Sequence, residues 1–154
     1  MASGVLPVDS PERRTPVTQR RTPSAAARGE VVVALVLDAS GQHMWRSAVA
    51  SALPALDPAL LDDLVLVTGE LVANALEHGL PPAALEVVAE DGGSVLVSVL
   101  DGGPVVPLSP LPIAPGAVRG RGLAIVDALS AEWGILKTQH GKAVWARVAR
   151  ADDE

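Results

Sequence analysis

Residues 57–79 carry one unbroken helical pattern, and its polar content restricts what the rest of the chain can build around it. Asp57-Pro58 supplies a start, with Asp as N-cap and Pro in the first turn, and Gly79 ahead of Pro81-Pro82 supplies a stop. At about 100° per residue, Leu61, Leu64, Thr68, Leu71, Val72 and Ala75 form an apolar stripe that must lie against other apolar elements. Glu70, Asn74 and His78 stand four apart, about one turn each, and so form a polar row along the flank of that stripe. A row so placed faces the edge of a cleft. Glutamate can take a proton and asparagine offers a neutral oxygen, a pair suited to an oxygen-loving cation and the water beside it. Taken alone, the row is more often a solvated flank. Gly69, inside the helix, costs about 1 kcal/mol relative to Ala, which points to a close neighbour.

The stripe has to be met by aliphatic partners. Of 154 residues 49% are hydrophobic, yet the aromatics are only Trp45, Trp133 and Trp145, so Leu, Val, Ile and Ala must fill the core of a single domain. Base-stacking on aromatic side chains is thereby disfavoured. Lys plus Arg number 12 against 18 Asp plus Glu, a formal charge of −6 that repels a phosphate backbone, so direct nucleic-acid binding is not expected. With no Cys, disulfides, thiolate metal sites and cysteine nucleophiles are excluded. The apolar runs 31–37 and 64–76 are too short or too interrupted to span a bilayer and no basic-then-apolar leader opens the chain, which makes a cytoplasmic protein without membrane contact the expectation.

Residues 1–29 hold four prolines, the pairs Arg13-Arg14 and Arg20-Arg21, and no apolar periodicity, and they read as a disordered basic tail ahead of a domain at 30–150. Ser10-Pro11, Thr15-Pro16 and Thr22-Pro23 have the form of modification sites, although the composition suits a passive extension. The β-branched run 31–36 predicts a strand, turned by Asp38-Ala39-Ser40-Gly41 into an amphipathic helix over 42–53 in which His43 is a surface residue. Residues 84–90 and 94–100 form a hairpin about Asp91-Gly92-Gly93, and the second of these strands, apolar on both faces, belongs at the centre of the sheet. It runs into Asp101-Gly102-Gly103-Pro104, where a strand-end carboxylate can accept from a ligand amine and the glycines let a flat ring approach the backbone. An ordinary Asp-Gly turn is the plainer alternative. Residues 104–119 form a proline-rich connection of the kind that serves as a lid or stays disordered. Gly120-Arg121-Gly122-Leu123 then leads into an apolar helix whose free N–H groups suit an anion, without the Lys-Ser/Thr of a Walker loop or the third glycine of a dinucleotide fingerprint. Two strands near 132–138 and 142–148, joined at His140-Gly141, close the chain.

In this order, the helix Glu70 to Gly79, the strand end Asp101 to Gly103 and the helix start Gly120 to Leu123 resemble the three nucleotide-binding boxes of the GHKL-type ATP-binding fold, the group that includes histidine-kinase catalytic domains. Ile125-Val126, Trp133-Gly134 and Gly141-Lys142-Ala143-Val144-Trp145 look like its anti-sigma-factor serine kinase and actinobacterial regulator branch. The resemblance spans about residues 31–149 and implies a two-layer α/β sandwich, a mixed sheet of about five strands with helices on one face. It further implies that Asn74 coordinates Mg²⁺, that Glu70 acts on the attacking hydroxyl, and that Asp101 with Gly103 holds the adenine amine. Gly120, Arg121, Gly122 and Leu123 line the phosphates below a lid at 104–119, and His78 orders the base of that lid. Val105 stands where a second glycine is frequent and would stiffen or narrow the adenine side. Arg121 replaces a histidine between the two glycines, and Gly141-Lys142 replaces a Gly-Thr; neither change removes Glu70 or Asn74.

The activity implied is that of a regulator using ATP and Mg²⁺ to phosphorylate an antagonist protein on Ser or Thr. A binding switch, in which ATP orders the lid and selects the partner without turnover, is the rival; an isolated sensor-kinase catalytic domain is weaker, because no transmembrane or phospho-acceptor helix precedes it. The partners implied are a sigma factor, its antagonist protein, or both, with a homodimer left open.

Overall fold

The computed structural model describes residue 23, residues 28–105 and residues 121–150, with 121 and 122 in backbone only. Most of the expected tail, the lid from 106 onward and Gly120 therefore lie outside the described residues. Eight elements follow one another: β1 (Gly29–Val36), α1 (Gly41–Ala52), α2 (Pro58–His78), β2 (Ala84–Glu90), β3 (Val95–Asp101), α3 (Arg121–Leu129), β4 (Glu132–Lys137) and β5 (Lys142–Val148). β1 begins with Gly29, which pairs with Glu90, and the Arg28 carbonyl accepts from the Asp91 N–H at 2.8 Å.

The helix starts follow from local chemistry. The Asp57 carboxylate accepts from the Ala59 N–H at 2.9 Å with Pro58 behind it, and Asp38 accepts from the Ser40 and Gly41 N–H groups at 3.0 and 2.8 Å, bending β1 into α1. Gly92 and Gly93, both at positive φ, turn β2 into β3, a conformation that other residues adopt only with strain.

The strands lie in the order β1-β2-β3-β5-β4, so β3 is central as its two apolar faces require. The five strands and three helices make the α/β layered fold expected, with one change of detail: each of the four pairings is antiparallel, and no adjacent pair of described strands makes the sheet mixed. β3 and β4 do run the same way, joined through α3, but β5 returns between them and separates the parallel partners. Val97, Val99, Val144 and Ala146 from the sheet join Leu64, Val67 and Leu71 of α2 in one buried cluster, to which Val126 of α3 also belongs. The sharp alternation of buried residues along β3 thus marks the face covered by the helices. Among the described residues no helix is long and apolar enough to cross a membrane.

On the other face of the sheet, Arg147 of β5 reaches across to Glu90 of β2, with Nε to Oε1 at 2.7 Å and Nη2 to Oε2 at 3.1 Å, and it also pairs with Glu132 of β4. The Glu90 side chain is 2% exposed and takes a further bond from the Ser94 hydroxyl at 3.0 Å. The hydrogen bond to Glu90, with the nearby negative charge of both carboxylates, raises the Arg147 pKa against the opposing effect of burial.

Candidate functional site

The site is built where the C-terminal end of α2 meets the C-terminal end of β3. Gly79, whose N–H still bonds the Ala75 carbonyl at 2.9 Å, closes α2 in extended backbone, so it is not φ that demands glycine here. Its neighbour demands it: a Cβ on Gly79 would lie 2.6 Å from Asp101 Cγ and 2.7 Å from Oδ2. The chain then passes directly over β3, with the Gly102 N–H donating to the Leu80 carbonyl at 2.6 Å. A Cβ on Gly103 would stand 2.8 Å from Asp101 Oδ1, and one on Gly141 would strike the Asp101 carbonyl and lie 2.7 Å from Gly102 Cα. Gly79 and Gly103 therefore leave room for the carboxylate itself, and Gly141 for the backbone of Asp101 and Gly102 beside it.

Asp101 itself is 4% exposed. Oδ1 accepts from the Gly103 N–H at 2.7 Å, while Oδ2 is buried with no hydrogen-bond partner among the described residues. An acceptor left so is costly unless a ligand donor completes it. Among the described residues the cation beside it is Lys142, the first residue of β5 and the direct cross-strand partner of Asp101. Its Nζ lies 3.6 Å from Oδ2 and 3.4 Å from the Pro104 carbonyl. An open cleft of about 780 Å³ adjoins this corner, walled by segments 102–105 and 137–141.

The polar row of α2 divides. Glu70 and Asn74 are half-buried, as a row along the flank of a buried stripe should be, whereas His78 is exposed at the helix end, 3.7 Å from the Glu77 carboxylate. Glu70 lines a second cleft, about 490 Å³ between α1 and α2, together with His43, Arg46, Leu66 and Leu76. Glu70 thus lines the α1–α2 cleft, whereas Asp101 is buried next to the cleft walled by 102–105 and 137–141, and Asn74 stands one turn along α2 from Glu70. Leu123 is half-buried against the core near the start of α3, and α3 packs along α2, which brings the backbone of Arg121 and Gly122 to the same layer. Gly120 lies outside the described residues. Val105 is partly buried against the core. The residue not assigned to the site from the sequence is Lys142; its only signal there was the departure from Gly-Thr, because its pairing with Asp101 depends on a strand register no local pattern reveals.

The residues fit an adenine nucleotide on two counts, the orphaned Oδ2 acceptor and the glycine cradle that leaves backbone, not side chains, around it. Among the described residues no group of three or more His, Asp or Glu side chains is gathered to hold a metal ion by protein ligands alone. A family model for the histidine kinase-like ATPase domain matches residues 36–148. No curated protein matches the chain.

Proposed function

The chain belongs to the histidine kinase-like ATPase domain family, and on that premise we propose that it is an ATP-dependent regulator, of the anti-sigma kinase type, that phosphorylates an antagonist protein on Ser or Thr. The observation that carries the reading is Asp101, a buried carboxylate with one satisfied and one unsatisfied oxygen at the junction of α2 and β3. Oδ2 accepts from the exocyclic amine of adenine, and Gly79 and Gly103, with no side chain of their own, leave the carboxylate in place for that contact. Asn74 would hold Mg²⁺ through its side-chain oxygen, and the ion would supply charge neutralisation for the triphosphate. Gly120, Arg121, Gly122 and Leu123 supply the phosphate end and His78 the base of the lid.

Glu70 lies on the side of α2 that faces α1, so the acceptor hydroxyl reaches the nucleotide from that cleft. The hydroxyl oxygen attacks the γ-phosphorus, its proton passes to the Glu70 carboxylate, and ADP departs with the electrons of the broken bond. The rival switch reading draws on the same cleft: exposed Leu66 and Leu76 and the Arg46 guanidinium stacked over Trp45 form a surface that can bind a partner without any phosphoryl transfer. The partner on either reading is a sigma factor or its antagonist. Titration calorimetry with Mg-ATP tests the common ground. Wild type should bind, EDTA should weaken binding, and Asp101→Asn should weaken it by roughly 10–100-fold, the range of a lost bond to a charged acceptor. Wild-type protein with no affinity for Mg-ATP overturns the reading.

A further inference from the structure

Asp101 and Lys142 face one another at the end of the sheet, and only the first has a task so far. Asp101 continues the helix-facing series Val95, Val97 and Val99, and Lys142 continues Val144, Ala146 and Val148, so both side chains enter the layer between sheet and helices. The Lys142 side chain is 4% exposed and that of Asp101 is 0%. A buried ion pair ordinarily closes to a charge-assisted hydrogen bond of about 2.7–2.9 Å. Here Nζ stays 3.6 Å from Oδ2 and 3.4 Å from the Pro104 carbonyl, and Oδ2 has no hydrogen-bond partner among the described residues. A desolvated ammonium with protons to donate thus stands beside a desolvated oxygen with lone pairs to offer, an arrangement that is unfavourable unless further partners arrive. Gly103 lets backbone pass within reach of both, since a Cβ there would sit 2.8 Å from Oδ1 and 3.4 Å from Nζ.

We propose that Lys142 is a specificity-determining residue of the base subsite. Its Nζ donates to the purine ring nitrogen that neighbours the exocyclic amine, while Asp101 Oδ2 accepts from that amine. A donor beside an acceptor on the protein matches an acceptor beside a donor on the ligand, which is the amine edge of adenine. Guanine, held the same way, turns an oxygen toward the carboxylate and an N–H toward the ammonium. The inference rests on the ATP reading above, and it adds a residue to it that a hydroxyl side chain cannot imitate in charge or reach.

The test is a titration of the full chain, with Mg²⁺, against ATP, GTP and 1-deaza-ATP, the analogue that keeps the amine but has C–H in place of the neighbouring ring nitrogen. Wild type should bind 1-deaza-ATP roughly 10–100-fold more weakly than ATP, while Lys142→Met should bind the two within about twofold of each other. Equal wild-type affinity for ATP and 1-deaza-ATP overturns the role of Lys142 and leaves the ATP reading standing. That is also the result if Lys142 merely neutralises Asp101, in which case Lys142→Met weakens both ligands alike. GTP bound as tightly as ATP overturns the proposal too, and no affinity for any of the three overturns it together with the ATP reading. Should Lys142→Met fail to fold, the wild-type comparison decides alone.

Discussion

Gly69 and Gly79 lie ten positions apart along one stretch of chain, yet only the second is held to glycine by its surroundings. A Cβ on Gly69 would meet the Trp45 ring at 3.5 and 3.6 Å, ordinary van der Waals contact, so the close neighbour expected from the sequence is present but leaves room. Gly69→Ala should therefore stabilise the fold by about 0.5–1 kcal/mol, through lower chain entropy in the unfolded state and better helix propensity. A thermal melt should show a rise of a few degrees; a fall would mean that Trp45 cannot accept the contact. Gly79→Ala should behave oppositely. Its Cβ would sit 2.7 Å from Asp101 Oδ2, so either the carboxylate or the end of α2 has to shift, at a cost of about 1–3 kcal/mol and with loss of ATP affinity. Melting and nucleotide titration of the two variants side by side separate a glycine of convenience from one of the site.

At the scale of elements, Arg147 of β5 ties β2 to β4, two strands that ladder hydrogen bonding leaves separated, since they lie on opposite sides of the β3-β5 pair. Arg147→Met keeps much of the side-chain length but strands Glu90, 2% exposed, without its cation, and should cost about 3–5 kcal/mol in chemical denaturation. Because the Arg147 pKa is raised, its contribution is complete below the ordinary arginine value and is lost only as pH rises through the still higher folded one. The wild-type arginine therefore stays charged across neutral and moderately alkaline pH, and its share of the stability should be flat there. None of this was legible beforehand: Glu90 and Arg147 are 57 positions apart, and their meeting depends on strand order. What was legible is what is local. The Asp57-Pro58 cap, the stripe Leu61, Leu64, Thr68, Leu71, Val72 and Ala75, of which Leu61 is only half-buried, and the Asp91-Gly92-Gly93 turn appear where the side chains alone demand them. The insertion of β5 between β3 and β4 was not, because alternation tells which face a residue takes and not which strand it adjoins. For the same reason Asp101 stood out as a strand-end carboxylate while its partner Lys142 looked only like a departure.

On the scale of the whole molecule, the fold brings the end of β3, the start of β5 and the end of α2 to one corner, and leaves Glu70 two turns back on the side of α1. On the proposed reading, base recognition sits at the end of α2 and proton transfer at Glu70, which makes the two separable by substitution. Glu70→Gln keeps the shape and removes the proton acceptor, so ATP affinity should persist while phosphoryl transfer to the antagonist slows by about 10²–10⁴-fold. Asn74→Ala, which removes the proposed metal ligand one turn from Glu70, should lower both. A nucleotide-gated binder responds differently to Glu70→Gln: ATP affinity persists and no transfer is seen at any stage, in wild type or variant. Labelled-ATP transfer assays and ATP titrations on wild type and both variants distinguish the cases. Full transfer activity in Glu70→Gln rejects glutamate as the base, and a wild type that binds ATP yet phosphorylates no antagonist assigns the α1–α2 cleft to partner binding alone.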